Sequence, residues 1–309
     1  MEFVRLPRFK RVAEIPPIQL TRRDREIIRQ VHRHRFLRSS HIVALIGGSS
    51  QQVLRRLQRL FHHGYLERPR SQIDYFHKGG SQRIVYGVGF HGSRLLQQKE
   101  NLSGRRDAGS AENQTIGRLF LEHALLTSDV MVAVELACRQ NGRVRLLNSE
   151  ELPLPEATRR QHEPFHWSVS VGNRAKLGLI PDRVFALEFP DQPADRNRAF
   201  YFLEADRGTM PVSRQTLAKS SFERKLFAYE ATWQQNLHQT RFGFHRFRVL
   251  TVTTSAERAR NLAAAASRLE RGHGLFLFTD LASLQSAPDL LAFPWKTARN
   301  GQAASFVAQ

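Results

Sequence analysis

The sequence predicts an α/β protein in two parts: a small helical head with a β-ribbon, then a larger body in which helices and strands alternate. Three observations predict it. The chain has 309 residues, more than one hydrophobic core usually serves. A polar stretch at 97–111, QQKENLSGRRDAGSA, lacks apolar periodicity and reads as a linker. On one side of it lie three short amphipathic segments, and on the other helix-period and strand-period segments follow in turn.

With 41% hydrophobic and 24% charged residues the chain is globular rather than disordered. Its charge is the unusual feature. Lys+Arg number 47 against 28 Asp+Glu, a net +19 that points to a polyanion partner. Residues 1–94 hold 19 Lys/Arg and 6 Asp/Glu, so 13 of the net charges lie there. A basic membrane-surface protein would need an amphipathic, lysine-rich helix with an exposed Trp/Phe face, and none is written in the sequence. No apolar run reaches the roughly 18–20 residues of a membrane span. MEFVRLPRFKR lacks a signal-peptide core. The single cysteine, Cys138, sits inside DVMVAVELACR and reads as a small hydrophobe of a reducing compartment. The expected location is cytoplasmic. No repeat of fixed period occurs.

Residues 1–19, with three prolines and several basic residues, read as an extended basic arm. Residues 20–96 form the head. Thr21 and Asp24 make a capping-box pattern before TRRDREIIRQVHRHR, whose apolar stripe is Ile27, Ile28 and Val31. Ser39-Ser40 open HIVALI, which Gly47-Gly48 stop, and Ser49-Ser50 open SQQVLRRLQRLFHHG, which ends at Gly64. In this third helix Val53, Leu54, Leu57, Leu60 and Phe61 are assigned to the core. Gln52, Arg55, Arg56 and Arg59 fall on the other side. YLERPR, HKGGSQR and RIVYGVG then give a hairpin. Three short helices and a hairpin predict a winged helix-turn-helix. A helix presenting Gln and Arg can enter the major groove, where Arg pairs with guanine and Gln with adenine. The expected DNA contacts are Ser50, Gln51, Gln52, Arg55, Arg56 and Arg59, with Lys78 and Arg83 of the wing on phosphates. The partner is duplex DNA.

The body spans 112–309. NQTIGRLFLEHALLTSDVMVAVELACRQNG reads as one long helix, or two, with Leu119, Leu126, Val130 and Val134 on its stripe, ended by Asn141-Gly142. VRLLN is a strand; LPLPEATRRQHEPFHW is loop-like, and SVSV adds an edge strand. GLIPDRVFALEF and RAFYFLEADRGT form a hairpin. A helix from about Pro211 to His238 packs through Phe222, Leu226, Tyr229 and Trp233. RFRVLTVTT is a buried strand, AERARNLAAAASRLERG a helix closed by Gly272, and GLFLFTDL a last strand. Beyond it Asp289 and Pro294-Trp295 lie in a packed tail. Together these make an α/β sandwich around a mixed sheet.

The chemistry concentrates on the hairpin. Period-two alternation puts Phe200, Phe202, Glu204 and Asp206 on one face of a strand and Tyr201, Leu203 and Ala205 on the other. Buried carboxylates need a positive partner. If Asp182 lies beside Glu204 and Asp206, a divalent cation would offset the repulsion of the three, so these are the candidate metal ligands. Other chemistries find no support. His32/His34 and His62/His63 lack zinc-spaced partners. GGSS lacks the lysine of a phosphate loop, and no nucleophilic Ser or Tyr arrangement assembles. Glu188 is expected to pair with Arg183 or Arg198.

This element order, with PD at Pro181-Asp182 and E-x-D at Glu204–Asp206, resembles the PD-(D/E)xK nuclease superfamily. The winged helix, the EH of LFLEHALL, IPDRVFALEF, FYFLEADRGT, RKLFAY and FPW are together similar to the replication-relaxation family of plasmids and integrative mobile elements. The resemblance implies that Asp182 and Glu204 hold Mg²⁺, with Glu122 completing the acidic set. The metal would polarise the phosphate and activate water, and a lysine would stabilise the transition state. The chain departs from the pattern where that lysine should stand, which is Asp206 followed by Arg207. Lys225, or secondarily Lys219, could reach in from the next helix, leaving Asp206 as a third ligand. Three functions follow, the last a protein-interaction component of a larger DNA-processing complex in which the degenerate nuclease fold offers a docking surface. One is a DNA-binding protein of a mobile element, acting in replication, mobilisation or its transcriptional control, with a degenerate nuclease-like domain. The alternative is an Mg²⁺-dependent endonuclease or nickase working at Asp182, Glu204, Asp206 and Lys225. Other DNA-processing or conjugation proteins and a second copy of the chain are further partners to test.

Overall fold

The capping box forms as written. Thr21 N donates to Asp24 Oδ2 (2.7 Å) and Asp24 N to Thr21 Oγ1 (3.2 Å), opening helix α1 (Arg22–His34). It begins the first part of a computed structural model that describes residues 7–12, 14–77, 83–100, 113, 115–172, 175–213, 221–299 and 302–306. The chain divides into two units, Met1–Val132 and Ala133–Gln309.

In the first unit α1 is followed by β1 (Phe36–Arg38), α2 (Ser39–Ile46), α3 (Ser50–His62), β2 (Leu66–Glu67), β3 (Val85–Val88) and α4 (Phe90–Glu100). Gly47, at φ 70°, stops α2, and Ser49 caps α3 by accepting from Gln52 N. The strands form an antiparallel sheet in the order β1-β3-β2. Ile27, Ile28, Val31, Ile42, Val53, Leu57 and Leu60 are fully buried between helices and sheet. Leu54 was assigned to this core but is 45% exposed. It stands about 100° round the helix from Val53, off the stripe that Val53, Leu57 and Leu60 define. β1, only three residues long, was not foreseen.

Helix α4 occupies 97–100, the start of the expected linker, and α5 (Arg118–Asn141) then spans the boundary between units. Its first half belongs to the first unit. Leu121 and Leu125 pack on Phe36 and Val85, and Ser128 Oγ donates to Phe36 O (2.7 Å). Asp129 pairs with Arg38 and with His41 Nε2 (2.9 Å). The sequence pattern assigns this whole helix to the body, since α5 is uninterrupted, but its first half packs on Phe36 and Val85 of the first unit. Leu119, assigned to the stripe, is 66% exposed, whereas Leu126, Val130 and Val134 are buried. Among the described residues no helix is long and apolar enough to cross a membrane.

The second unit contains β4 (Arg145–Asn148), α6 (Glu156–Arg159), β5 (Trp167–Val171), β6 (Ala175–Leu179), β7 (Arg183–Glu188), β8 (Arg198–Asp206), α7 (Phe222–Gln234) and α8 (Leu237–Thr240). β9 (Phe247–Thr253), α9 (Ala256–Ala266), β10 (Phe276–Asp280), α10 (Leu281–Gln285), β11 (Trp295–Thr297) and β12 (Ala303–Ala304) follow. Seven strands form a mixed sheet in the order β12-β11-β10-β9-β8-β7-β4. β8, β9 and β10 are parallel, and the other pairings are antiparallel. The run GLIPDRVFALEF is two strands, not one. Its first residues pair with β5 as β6, and the chain breaks at Pro181, which has no N–H to give a ladder.

β8 shows the two faces that alternation requires. Phe202 meets Phe247 (5.2 Å) and Tyr229 (5.6 Å) beneath α7, while Tyr201 stacks on Phe185 (5.2 Å) on the other side. α7 starts at Phe222 and buries Phe222, Leu226 and Tyr229. Trp233, its expected fourth anchor, is 37% exposed. Cys138 is buried, and burial pushes its thiol up to about 12, so it stays protonated and packs as an apolar side chain.

Candidate nucleic-acid interface and buried acidic site

Helix α3 presents two kinds of polar side chain. Ser50, Gln51, Gln52 and Arg55, along its first turns, are exposed. Gln52 Oε1 lies 3.5 Å from Arg23 Nη1, a weak contact that leaves its amide group facing out. Arg56 is different. It forms a bidentate pair with Asp24, with Nε 2.7 Å from Oδ1, and Asp24 is fully buried. Burial would raise the Asp24 carboxyl, but Arg56 and the Thr21 hydrogen bonds outweigh it and hold Asp24 below its ordinary value. Arg56 therefore clamps α3 onto the N-terminus of α1. Arg59 is exposed and donates to Pro17 O (3.1 Å). Arg83 is exposed just ahead of β3; Lys78 lies outside the described residues.

In the second unit the parallel strands β8 and β9 end side by side, with Glu204 opposite Thr251 and Asp206 opposite Thr253. Glu204 points under α7 and is 1% exposed. One of its oxygens accepts from Lys225 Nζ and the other from Tyr229 OH (2.6 Å). Burial pushes the Glu204 carboxyl up, against the pull of the Lys225 charge. Burial would lower the Lys225 ammonium, but Glu204 and then Asp182 hold it above its ordinary value. Tyr229 is raised well above its own by burial and by the Glu204 charge, so its phenol remains a donor. Asp182, just ahead of β7, accepts from Ala205 N (2.7 Å) and ties β7 to β8. Asp206 accepts from Arg258 Nε (2.8 Å) and Thr253 Oγ1 (3.1 Å), and Arg258 also donates to Met210 O. Among the described residues no three His, Cys, Asp or Glu side chains stand together as a set able to hold a metal ion.

A family model described as Replication-relaxation matches residues 28–246, well over half of the chain. The protein belongs to the replication-relaxation family. No curated protein and no solved structure matches it.

In this replication-relaxation protein the sequence-derived residues fall into separate groups. Glu204 and Lys225 are in contact and Asp182 acts on both electrostatically; Asp206 is engaged directly by Arg258 and also acts on Lys225 through its charge. Glu122 sits on the part of α5 that belongs to the first unit, where Arg118 Nε is 3.0 Å from its Oε1. Lys219 lies outside the described residues. Glu188 pairs with Arg198 Nη2 (2.8 Å), as one of the two expected partners, and also with Arg145 Nε (2.9 Å).

Three participants escaped the sequence reading of the replication-relaxation chain. Tyr229 was assigned only to packing, though its position one turn beyond Lys225 puts both on the same helix face. Arg258 lies 52 residues beyond Asp206 and no local pattern links them. Asp24 was read as a cap, and its second role depends on a helix that follows 32 residues later.

Proposed function

We propose that this protein is a sequence-selective duplex-DNA-binding protein of a plasmid or related mobile element, acting in its replication, mobilisation or transcriptional control. The first unit is read as a winged helix-turn-helix with α3 as the reader. The observation that carries this is the exposed row Ser50, Gln51, Gln52 and Arg55 on a helix whose other face is fixed by Val53, Leu57 and Leu60. It stands in the segment holding 13 of the chain's net charges. A rigid helix offering paired donors and acceptors is what base-edge recognition in the major groove needs. Fluorescence anisotropy with duplex DNA tests it. Affinity should fall steeply as salt rises, since each phosphate contact releases counterions. Arg55→Ala should weaken binding about 5- to 150-fold, from the roughly 1–3 kcal/mol of one good base contact, with melting temperature unchanged. Absence of duplex affinity at low salt would overturn the proposal.

The second unit is read as a nuclease-like fold kept without cleavage chemistry. A hairpin β7–β8, a helix α7 and a parallel strand β9 occur in that order, with Asp182 and Glu204 at the strand ends. Magnesium needs several hard oxygens around one ion. Here the two Glu204 oxygens accept from Lys225 and Tyr229, and Asp206 is held by Arg258 and Thr253, so the positive charge these carboxylates need is supplied by side chains without an ion. The Lys225 ammonium supplies the positive charge at Glu204 instead. Supercoiled plasmid should therefore stay intact with Mg²⁺ or Mn²⁺. Nicking that disappears in Asp182→Ala would instead establish the endonuclease reading.

A further inference from the structure

The basic face of α3 is partly covered by the chain's own arm. His63 Nε2 meets Pro16 O (3.0 Å), Arg59 Nη2 donates to Pro17 O (3.1 Å) and Arg56 Nη2 donates to Gln19 O (3.2 Å). Positions 56, 59 and 63 follow helix spacing, so the three donors form one stripe about 10 Å long. Neither Arg59 nor His63 has a carboxylate partner among the described residues. The acceptors that satisfy them are neutral backbone carbonyls. A carbonyl only accepts, so His63 Nε2 carries its proton and the side chain already points a donor outward.

The arm itself has two sections. Around Arg11 it is anchored: Arg11 pairs with the buried Glu67, donates to Phe61 O (2.9 Å) and lies over the Phe61 ring. Over Pro16–Gln19 it is draped, with Pro16, Pro17 and Gln19 exposed and their backbone carbonyls making the contacts to α3. A phosphodiester adds to an arginine hydrogen bond an attraction between opposite charges that a neutral carbonyl lacks, so it can outcompete these carbonyls.

We infer that Pro16–Gln19 is a displaceable cover over a phosphate-binding track made by Arg59, His63 and the outer edge of Arg56, and that the DNA backbone replaces it when the protein engages a duplex. The inference rests on the DNA-binding reading of α3 and adds to it a second contact zone, sequence-independent and normally closed. Ser50, Gln51, Gln52 and Arg55 stay open in both states.

Spin labels on Gln19→Cys and Phe90→Cys, both exposed positions, test this directly on the full chain with and without duplex DNA. The distribution of their separation should shift and broaden when DNA is bound. A distribution unchanged or narrowed by DNA overturns the inference. A companion variant replaces residues 14–19 with glycine and serine, keeping the Arg11 anchor and the chain length. If the cover is closed about nine-tenths of the time, this variant binds duplex tighter, by up to about tenfold. Equal or weaker binding by a variant that melts like the parent overturns the cover while leaving the reader standing. Should neither protein bind, both readings fall; binding by the variant alone supports the cover.

Discussion

Lys225→Ala should destabilise the second unit by about 3–5 kcal/mol, the usual result of leaving a buried charge without its partner. Glu204 is 1% exposed and cannot find water in exchange for the ammonium. Urea denaturation near neutral pH measures the loss. Its pH dependence has a definite sign. Glu204 is raised by burial in the parent and rises further when Lys225 goes. A carboxyl whose folded pKa exceeds its unfolded value stabilises fully below the unfolded pKa, and that contribution disappears as pH rises through the folded pKa. The deficit of Lys225→Ala should thus shrink on acidification, because the protonated carboxyl tolerates burial. Combining Lys225→Met with Glu204→Gln removes both charges and leaves Tyr229 an acceptor, so most of the loss should return. A Lys225→Ala protein as stable as the parent would show that the pair is not the closed ion pair described.

Arg56→Ala should do comparable damage to the first unit, about 3–5 kcal/mol, because Asp24 is fully buried and keeps only its Thr21 contacts. Here the pH sign is opposite. Asp24 is held below its ordinary value, so its contribution is present above the unfolded carboxyl pKa and fades as pH falls through the folded one. Parent and variant should converge in acid and separate toward neutrality. Thermal melting alongside anisotropy distinguishes this residue from Arg55. If the DNA-binding proposal holds, Arg55→Ala should lose affinity with its melting temperature intact, whereas Arg56→Ala should lower the melting temperature. Equal melting temperatures for Arg56→Ala and the parent would show that the Arg56–Asp24 pair does not hold α3 to α1.

The contrast between these neighbours shows what a sequence pattern can and cannot carry. Helical spacing correctly separates Gln52, Arg55, Arg56 and Arg59 from Val53, Leu57 and Leu60. It cannot tell an arginine facing solvent from one folded back onto Asp24, since that depends on where α1 lies. Alternation on β8 likewise puts Glu204 on the Phe202 face, and the mixed sheet follows from the order of helices and strands. Alternation also put Asp206 beside Glu204. The two carboxylates nevertheless have different direct partners, because Arg258 arrives from a later helix to take one of them. Very short strands such as β1 and β12 carry too few residues for a period to register. Trp233 and Leu54 show the converse error, an apolar residue counted into a stripe whose angular width it exceeds.

The helix that runs across the boundary at Val132 determines how this protein can be divided. Ending the polypeptide anywhere in 101–112, where the sequence invites a cut, would strip Leu121 and Leu125 from Phe36 and remove the hydroxyl of Ser128 from the Phe36 carbonyl. The severed first unit would be left with a wet aromatic floor at Phe36 and a tendency to stick to itself. Only a piece carried past residue 129 retains its lid, and that piece must end inside a helix whose remaining turns lie in the other half.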